Sequence, residues 1–328
     1  MMLLFIAFCL NSWAAPLSEY PPQKISAQGV KSLRLIGVRG DLKVTARAGS
    51  HYILRVKHTS GRGGDDWHLS MDRQGHALVL EVFNTTYGGK WREQVRREHW
   101  PTFNVELIGP SRPTQVSWRE GNLSFNSWRD PLDISFIKGR FKSSKGAGRV
   151  SLQLPEGRVD IADHRGDISV NGQTGDLKFA RVNGALDLHW LSGTLIAEKV
   201  SGKVKVDGAN LEIHNESGQG AWAVNTERGQ VLFRGFSGEL KAQGQETLWD
   251  LHATAPSDLE VVSGQGSVKL DWKGRPAGVF LTTQTGQIKA TKLGPVTLRE
   301  GSKVIESKPS ERKGNVFVRT RSGDIVWR

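Results

Sequence analysis

The chain is almost without cysteine. Cys9 is the only one in 328 residues, so no internal disulfide framework and no Cys-ligated metal can hold the fold, which must rest on packing and backbone hydrogen bonds. Long apolar runs are also missing. The longest opens the chain at Met1 to Leu10 and is too short to span a bilayer as a stable anchor. Acidic residues are in deficit, 33 against 45 Lys and Arg, which gives a net charge of +12 and a pI near 9.9. Carboxylates are scattered, the nine His show no ligand spacing, and Ser, His and Asp fall into no triad motif. This is not the clustered acid–base chemistry that a polysaccharide lyase or hydrolase needs.

What is abundant is glycine, 38 residues, with 11 tryptophans; both exceed ordinary globular usage and call for many turns and many aromatic faces. Residues 1–14 read as a signal peptide: a short apolar run, no Lys or Arg before it, then Ser12 and Ala14 at the small-residue positions of a cleavage site. Phe8 before Cys9 lacks the small side chain of a lipoprotein signal. Export places the mature chain in the periplasm or at the cell surface and removes its one thiol. The positive charge then points to lipopolysaccharide, lipid head groups or acidic polysaccharide, and away from nucleic acid.

The organising pattern is a period of nine. Gly148, Gly157, Gly166, Gly175, Gly184, Gly193 and Gly202 follow at that interval. Two places after each stands Val150, Val159, Ile168, Leu177, Leu186, Leu195 or Val204, and four places after stands Leu152, Ile161, Val170, Phe179, Leu188, Ala197 or Val206. This alternation predicts strands of about five residues with one buried face, and Asp160, Ser169, Lys178, Asp187 and Lys205 facing water. Asn183-Gly184, Ser192-Gly193 and Ser201-Gly202 supply the positive-φ corners. The frame resumes at Gly220, Gly229, Gly238, Gly266, Gly286, Gly294, Gly314 and Gly323, which leaves 207–219, 244–257 and 299–313 as expected loops.

An up-and-down antiparallel meander shares the period, but its two ends are unlike, whereas in a solenoid each corner is a translated copy of an earlier one. The reading is therefore all-β: a parallel β-solenoid, β-helix or β-roll-like, of about nine-residue strand units. Two units per coil would stack the residues from Phe103 onward into about twelve coils and a rod of about 60 Å; three would give a thicker body of about 40 Å. Each unit offers only two regular inward residues, which favours two.

The units Gly40-Asp-Leu-Lys-Val, Gly166-Asp-Ile-Ser-Val, Gly175-Asp-Leu-Lys-Phe and Gly323-Asp-Ile-Val-Trp, with the corner Leu152-Gln-Leu-Pro-Glu-Gly157, resemble the bacterial putative-adhesin family of repeated β-strands over about residues 28 to 328. The resemblance implies an exported or membrane-tethered β-solenoid, and it transfers no catalytic residue.

The chain divides into 1–14, the signal peptide; 15–102, an N-terminal β cap; and 103–328, the repeat domain. The N-terminal part, about residues 24 to 110, lacks the nine-residue frame but carries alternating strands at Leu33–Ile36, Leu42–Val44, Tyr52–Val56, Leu78–Val82 and Phe103–Leu107. They would close an open solenoid end that otherwise recruits other chains.

The sharpest binding candidate is Tyr87 to Trp100, where Lys90, Arg92, Arg96 and Arg97 stand among Tyr87, Trp91 and Trp100. Flat aromatic faces stack on sugar rings and Arg forks grip carboxylates or phosphates. The competing reading makes Trp91 and Val95 a packed lid on the cap, with the Arg side chains solvated. Arg39-Gly40-Asp41 and Arg165-Gly166-Asp167 spell a receptor tripeptide, yet Gly and Asp there belong to the repeat frame. The Gly-Gly-x-Gly-x-Asp pattern of calcium β-rolls is absent, and no metal or cofactor is expected. Trp222 is expected in the core and Trp190 in a turn near the surface.

The function expected is that of an exported, non-catalytic, adhesin-like or envelope-associated module binding anionic glycans or surface polymers. A polysaccharide lyase or hydrolase on the same fold is the alternative.

Overall fold

In a computed structural model of the protein, the residues described are 19–60, 67–84, 102–254, 257–273, 276–290, 293, 297–307 and 314–328. They contain no helix, hence none long and apolar enough to cross a membrane. The strands are β1 (Glu19–Ser26), β2 (Ser32–Arg39), β3 (Leu42–Ala46), β4 (His51–Ser60), β5 (Trp67–Gln74), β6 (Ala77–Asn84) and β7 (Thr102–Gly109) at the N-terminal end. The long strands β8 (Thr114–Asn126), β9 (Leu132–Ser144), β10 (Val150–Arg165), β11 (Ile168–Asn183), β12 (Leu186–Glu198), β13 (Ser201–Glu216) and β14 (Gln219–Thr254) form the middle. At the C-terminal end come β15 (Asp258–Ser263), β16 (Val268–Lys273), β17 (Gly278–Thr283), β18 (Ile288–Lys289), β19 (Thr297–Arg299), β20 (Ser302–Ser307), β21 (Asn315–Thr320) and β22 (Ile325–Trp327).

Val150 pairs with Ile168, Ile168 with Leu186, Leu186 with Val204 and Val204 with Trp222, all parallel. The step is 18 residues, so two nine-residue units make one coil and the antiparallel meander is excluded. Nine coils follow in chain order from β8 to β15 and β16, with two more parallel layers at each end, beyond which strands pair antiparallel. At about 4.8 Å per layer the stack rises about 60 Å.

Within a coil the chain folds back twice, and the two unit strands face each other across a thin apolar slab. Val150, Leu152 and Leu154 line one side of it and Val159 and Ile161 the other, all at most 1% exposed. Across the slab Trp222 meets Phe233 edge-on, ring centroids 5.1 Å apart.

The glycines are required by stacking. Gly157, Gly175 and Gly193 have φ of +156°, +132° and +130°, and a Cβ on each would strike the carbonyl oxygen of the glycine one coil below. The other corner turns through non-glycine residues in the left-handed region, Ser127, Lys145, Asp163, Arg181, Lys199 and Ser217, φ 53° to 57°, one per coil. The following residue, such as Trp128, His164, Val182 or Val200, is buried as a result.

The aspartates after glycine tie layers together. Asp41 Oδ1 accepts from the Asn122 N–H (3.2 Å), Asp167 Oδ1 from Ala185 N–H (3.0 Å) and Asp324 Oδ1 from Gln287 N–H (2.8 Å). The Asp of each Arg-Gly-Asp triplet is thus a structural bracket, as the repeat frame implies.

Three expectations need correction. Residues 207–219 make no projecting loop: Leu211 takes the glycine slot between Gly193 and Gly229, and β13 and β14 keep the 18-residue register. Its side chain lies against Gly208, where a Cβ would collide with it. The stretch 244–257 is strand as far as Thr254, absorbing a single extra residue, since Glu239 pairs with Asp258 and Trp249 with Val268. Of 299–313, Ser302–Ser307 is β20, antiparallel to β17; residues 308–313 lie outside the described set.

At both ends the layer order departs from the chain order. The coil of β2 and β3 stacks directly on β8 and is covered on its other edge by β6 and β7. The coil of β21 and β22 lies between β15/β16 and β17/β18.

Candidate functional site

The sequence candidates Tyr87, Lys90, Trp91, Arg92, Arg96, Arg97 and Trp100 lie outside the described residues, as does the signal peptide. Residues 85–101 connect β6 to β7, the two strands of the layer that covers the β2/β3 coil.

No exposed tryptophan stripe exists among the described residues. Trp118, Trp128, Trp190, Trp222, Trp249 and Trp272 are all buried, at most 7% exposed. This corrects the surface placement of Trp190, which is 1% exposed. Strand alternation carries one step further than assumed, Leu186, Leu188, Trp190, and the ring packs where Gly172 of the preceding coil leaves room. Its Nε1–H donates to the Gly175 carbonyl (3.1 Å). Trp118 repeats the device over Gly37, donating to the Gly40 carbonyl (3.0 Å).

That inner corner row explains a concavity. Through the first coils it holds Trp118, Phe136, Leu154, Gly172 and Trp190. Further along it holds small residues: Gly208, Thr226, Gly244, Ser263, Thr320 and Thr283. Thr226, Ser263, Thr283 and Thr320 are buried. Hydroxyls replace indole N–H groups as caps for corner carbonyls: Thr226 Oγ1 donates to Arg228 O (3.0 Å), Thr247 Oγ1 to Thr226 O (3.1 Å) and Thr320 Oγ1 to Gly323 O (2.6 Å). Small side chains fill the corner less, and it recedes.

The result is an open groove of about 520 Å³ lined by Asn225, Glu227, Gln243, Gln245, Gln284, Arg319 and Arg321 above the buried hydroxyls. A smaller extension of about 300 Å³ shares Asn225, Gln243 and Val262 and runs over Ala223, between Lys205 and Lys241. Beside it, in the row that continues from Glu260, Phe317 and Phe280 stack face to face at 5.1 Å.

The cations of the groove differ in availability. Lys205 Nζ lies 2.6 Å from Asp207 and Lys241 Nζ 2.9 Å from Glu239; these hydrogen bonds hold both ammonium groups above their usual pKa. Arg319 and Arg321 are exposed and make no ion pair with any described residue. The Arg321 backbone is fixed from both sides: its N–H donates to the Ser263 and Gly264 carbonyls (3.1 and 3.0 Å), and its carbonyl accepts from the N–H groups of Gln284 and Thr285 (3.2 and 3.0 Å). Ser263 Oγ, buried at the groove floor, has no hydrogen-bond partner among the described residues. Elsewhere no group of three or more His, Cys, Asp or Glu able to hold a metal occurs among the described residues.

The sequence reading missed this groove, whose residues come from five layers. The available signal was the switch of one 18-spaced row from Trp, Phe and Leu to Gly, Thr and Ser.

No family model matches the chain, and no curated protein matches it. Two solved bacterial structures are similar to it over almost its full length. One is a putative cell adhesion protein from Clostridium sporogenes, 12% identical, with a TM-score of 0.23 and coverage of 95% of this chain and 99% of that one. The other is a putative adhesin from Bacteroides fragilis, 13% identical, with a TM-score of 0.25 and coverage of 96% and 98%.

Proposed function

We propose that this protein is an exported, non-catalytic, adhesin-like β-solenoid that works in the periplasm or at the cell surface by binding anionic glycans or other envelope polymers. The observation that carries the reading is the partition of surface charge. Glu106 is held by Lys43 and Arg55, Glu156 by Lys138, Asp160 by Arg140, Glu198 by Lys178 and Asp163 by Arg181. These carboxylates are spoken for one at a time along flat faces instead of converging on a cleft, while cations remain in excess. Acid–base hydrolysis needs two converging carboxyl groups; polymer adhesion needs a rigid surface with cations in excess, which the net charge of +12 supports. The segment from Tyr87 to Trp100 adds four cations and three aromatic rings to the same reading.

The test is retention of the purified protein on envelope polysaccharides at two salt concentrations. Binding should weaken with salt, and replacing Arg96 and Arg97 with Ala should weaken it and flatten that dependence without lowering thermal stability. Loss of stability with unchanged binding would make the segment a lid. Salt-independent or absent binding would refute the envelope reading.

A further inference from the structure

Resting on the envelope-binding reading, we propose that the corner groove of the C-terminal coils is a second, specific site, for a chain of carboxylate-bearing sugars. Residues 225–227, 243–245, 262–264, 319–321 and 284 come from five stacked layers, so the groove runs along the stack for about 19 Å at about 4.8 Å per layer. That step is close to the length of one hexose along a glycan, which suits an oligosaccharide better than a single sugar.

The lining chemistry selects the ligand. Asn225, Gln243, Gln245 and Gln284 each offer a donor and an acceptor, the pairing that sugar hydroxyls present in return. Arg319 and Arg321, with no ion pair among the described residues, are planar forks that match a carboxylate. Glu227 on the rim repels a ligand with dense charge, which disfavours a polyphosphate or nucleic-acid backbone and favours one charge per sugar. Ser263 Oγ supplies a buried hydroxyl that lacks a partner among the described residues. The Phe280–Phe317 stack gives an apolar edge beside the polar row. Both arginines ride on the C-terminal coil, whose strand β21 is paired on both edges, so they are presented from fixed backbone.

The probe is a polygalacturonate oligomer, with its methyl ester and dextran sulfate as comparisons, measured by calorimetry on the purified protein. The carboxylate form should bind more tightly than the ester. Arg319→Ala and Arg321→Ala should each weaken it by about tenfold, with Arg321→Gln as a second form and melting temperatures unchanged. Gln243→Ala should weaken acid and ester alike. Lys142→Ala, exposed on β9 and several coils from the groove, should leave uronate binding within about twofold, whereas the Arg96→Ala/Arg97→Ala pair should reduce dextran sulfate binding. Uronate binding that survives loss of both Arg319 and Arg321, or is exceeded by binding of single-stranded DNA, overturns the proposal. Binding of dextran sulfate with no uronate binding removes this site and leaves the envelope reading; binding of neither removes both.

Discussion

Trp190 offers the most demanding test of the stacking logic, because it was expected at the surface and is buried. Its ring fills the space left by Gly172, and its indole N–H caps the Gly175 carbonyl at 3.1 Å. Replacement by Ala empties a site that neighbouring coils cannot close, since their spacing is set by the backbone ladder. Large-to-small aromatic losses of this kind cost about 3–5 kcal/mol. The abandoned carbonyl adds about 1 kcal/mol. Trp190→Phe retains most of the apolar packing and loses the N–H, so about 1–2 kcal/mol is expected. Repeat arrays unfold in segments, so a global midpoint can understate a local loss. The assay is therefore native-state hydrogen exchange, comparing amides of 168–198 with those of 114–126. Protection should fall in the first set for Trp190→Ala, less for Trp190→Phe, and stay unchanged in the second. Equal protection in wild type and Trp190→Ala would show that the row does not hold the corner together.

Two further outcomes are expected. Leu177→Asp places an unpaired charge at a position 1% exposed and should lower stability by about 3–5 kcal/mol, whereas Lys178→Asp, which faces solvent and loses one exposed pair with Glu198 at 3.0 Å, should cost about 1 kcal/mol or less; equal urea midpoints would mean that the faces are misassigned. His164 is buried in the second corner, and desolvation holds its imidazole below the ordinary histidine pKa although Nε2 is bonded to the Gly148 carbonyl. The unfolded chain therefore takes up this proton first, so the stability it contributes is present above pH 6.5 and is lost as pH falls through the folded value. Urea midpoints between pH 7.5 and 5 should drop more in wild type than in His164→Val, the residue carried there by the next two coils at Val182 and Val200; parallel curves would count against the assignment.

The coil was legible because one requirement recurs in every turn. Gly157, Gly175 and Gly193 stack on one another's carbonyls at positive φ, where a Cβ would collide with the coil below, so the period of nine survives in the residues themselves. Leu211 shows the limit: it fills a glycine slot by leaning over Gly208, and an expected loop becomes an ordinary coil. Trp190 was misplaced because the strand was assumed to be five residues long, although Leu186, Leu188 and Trp190 alternate without a break. The groove was least legible. Asn225 and Gln243 are unremarkable outward polar residues on their own strands. Their meeting with Arg319 and Arg321 depends on a long-range pairing, Leu259 with Val316 and Val268 with Ile325, that no local pattern announces.

That pairing follows from how the solenoid ends. A coil laid on last in a simple stack is held along one edge and offers the other to any passing strand. Here the first and last coils are threaded inward. β2 and β3 lie between β8 and the β6/β7 layer, and β21 and β22 lie between β15/β16 and β17/β18, so each terminal coil is hydrogen-bonded on both sides. The layers outside them finish in antiparallel pairs, β5 on β6 and β4 on β7 at one end, β20 on β17 and β19 on β20 at the other. A second copy seeking to extend the parallel stack meets strands running the wrong way and, at the C-terminal end, the Arg299–Glu306 pair at 2.7 Å. The same threading fixes Arg319 and Arg321 between layers instead of leaving them on a fraying tail. The device that closes the rod against self-association is therefore the one that completes its groove.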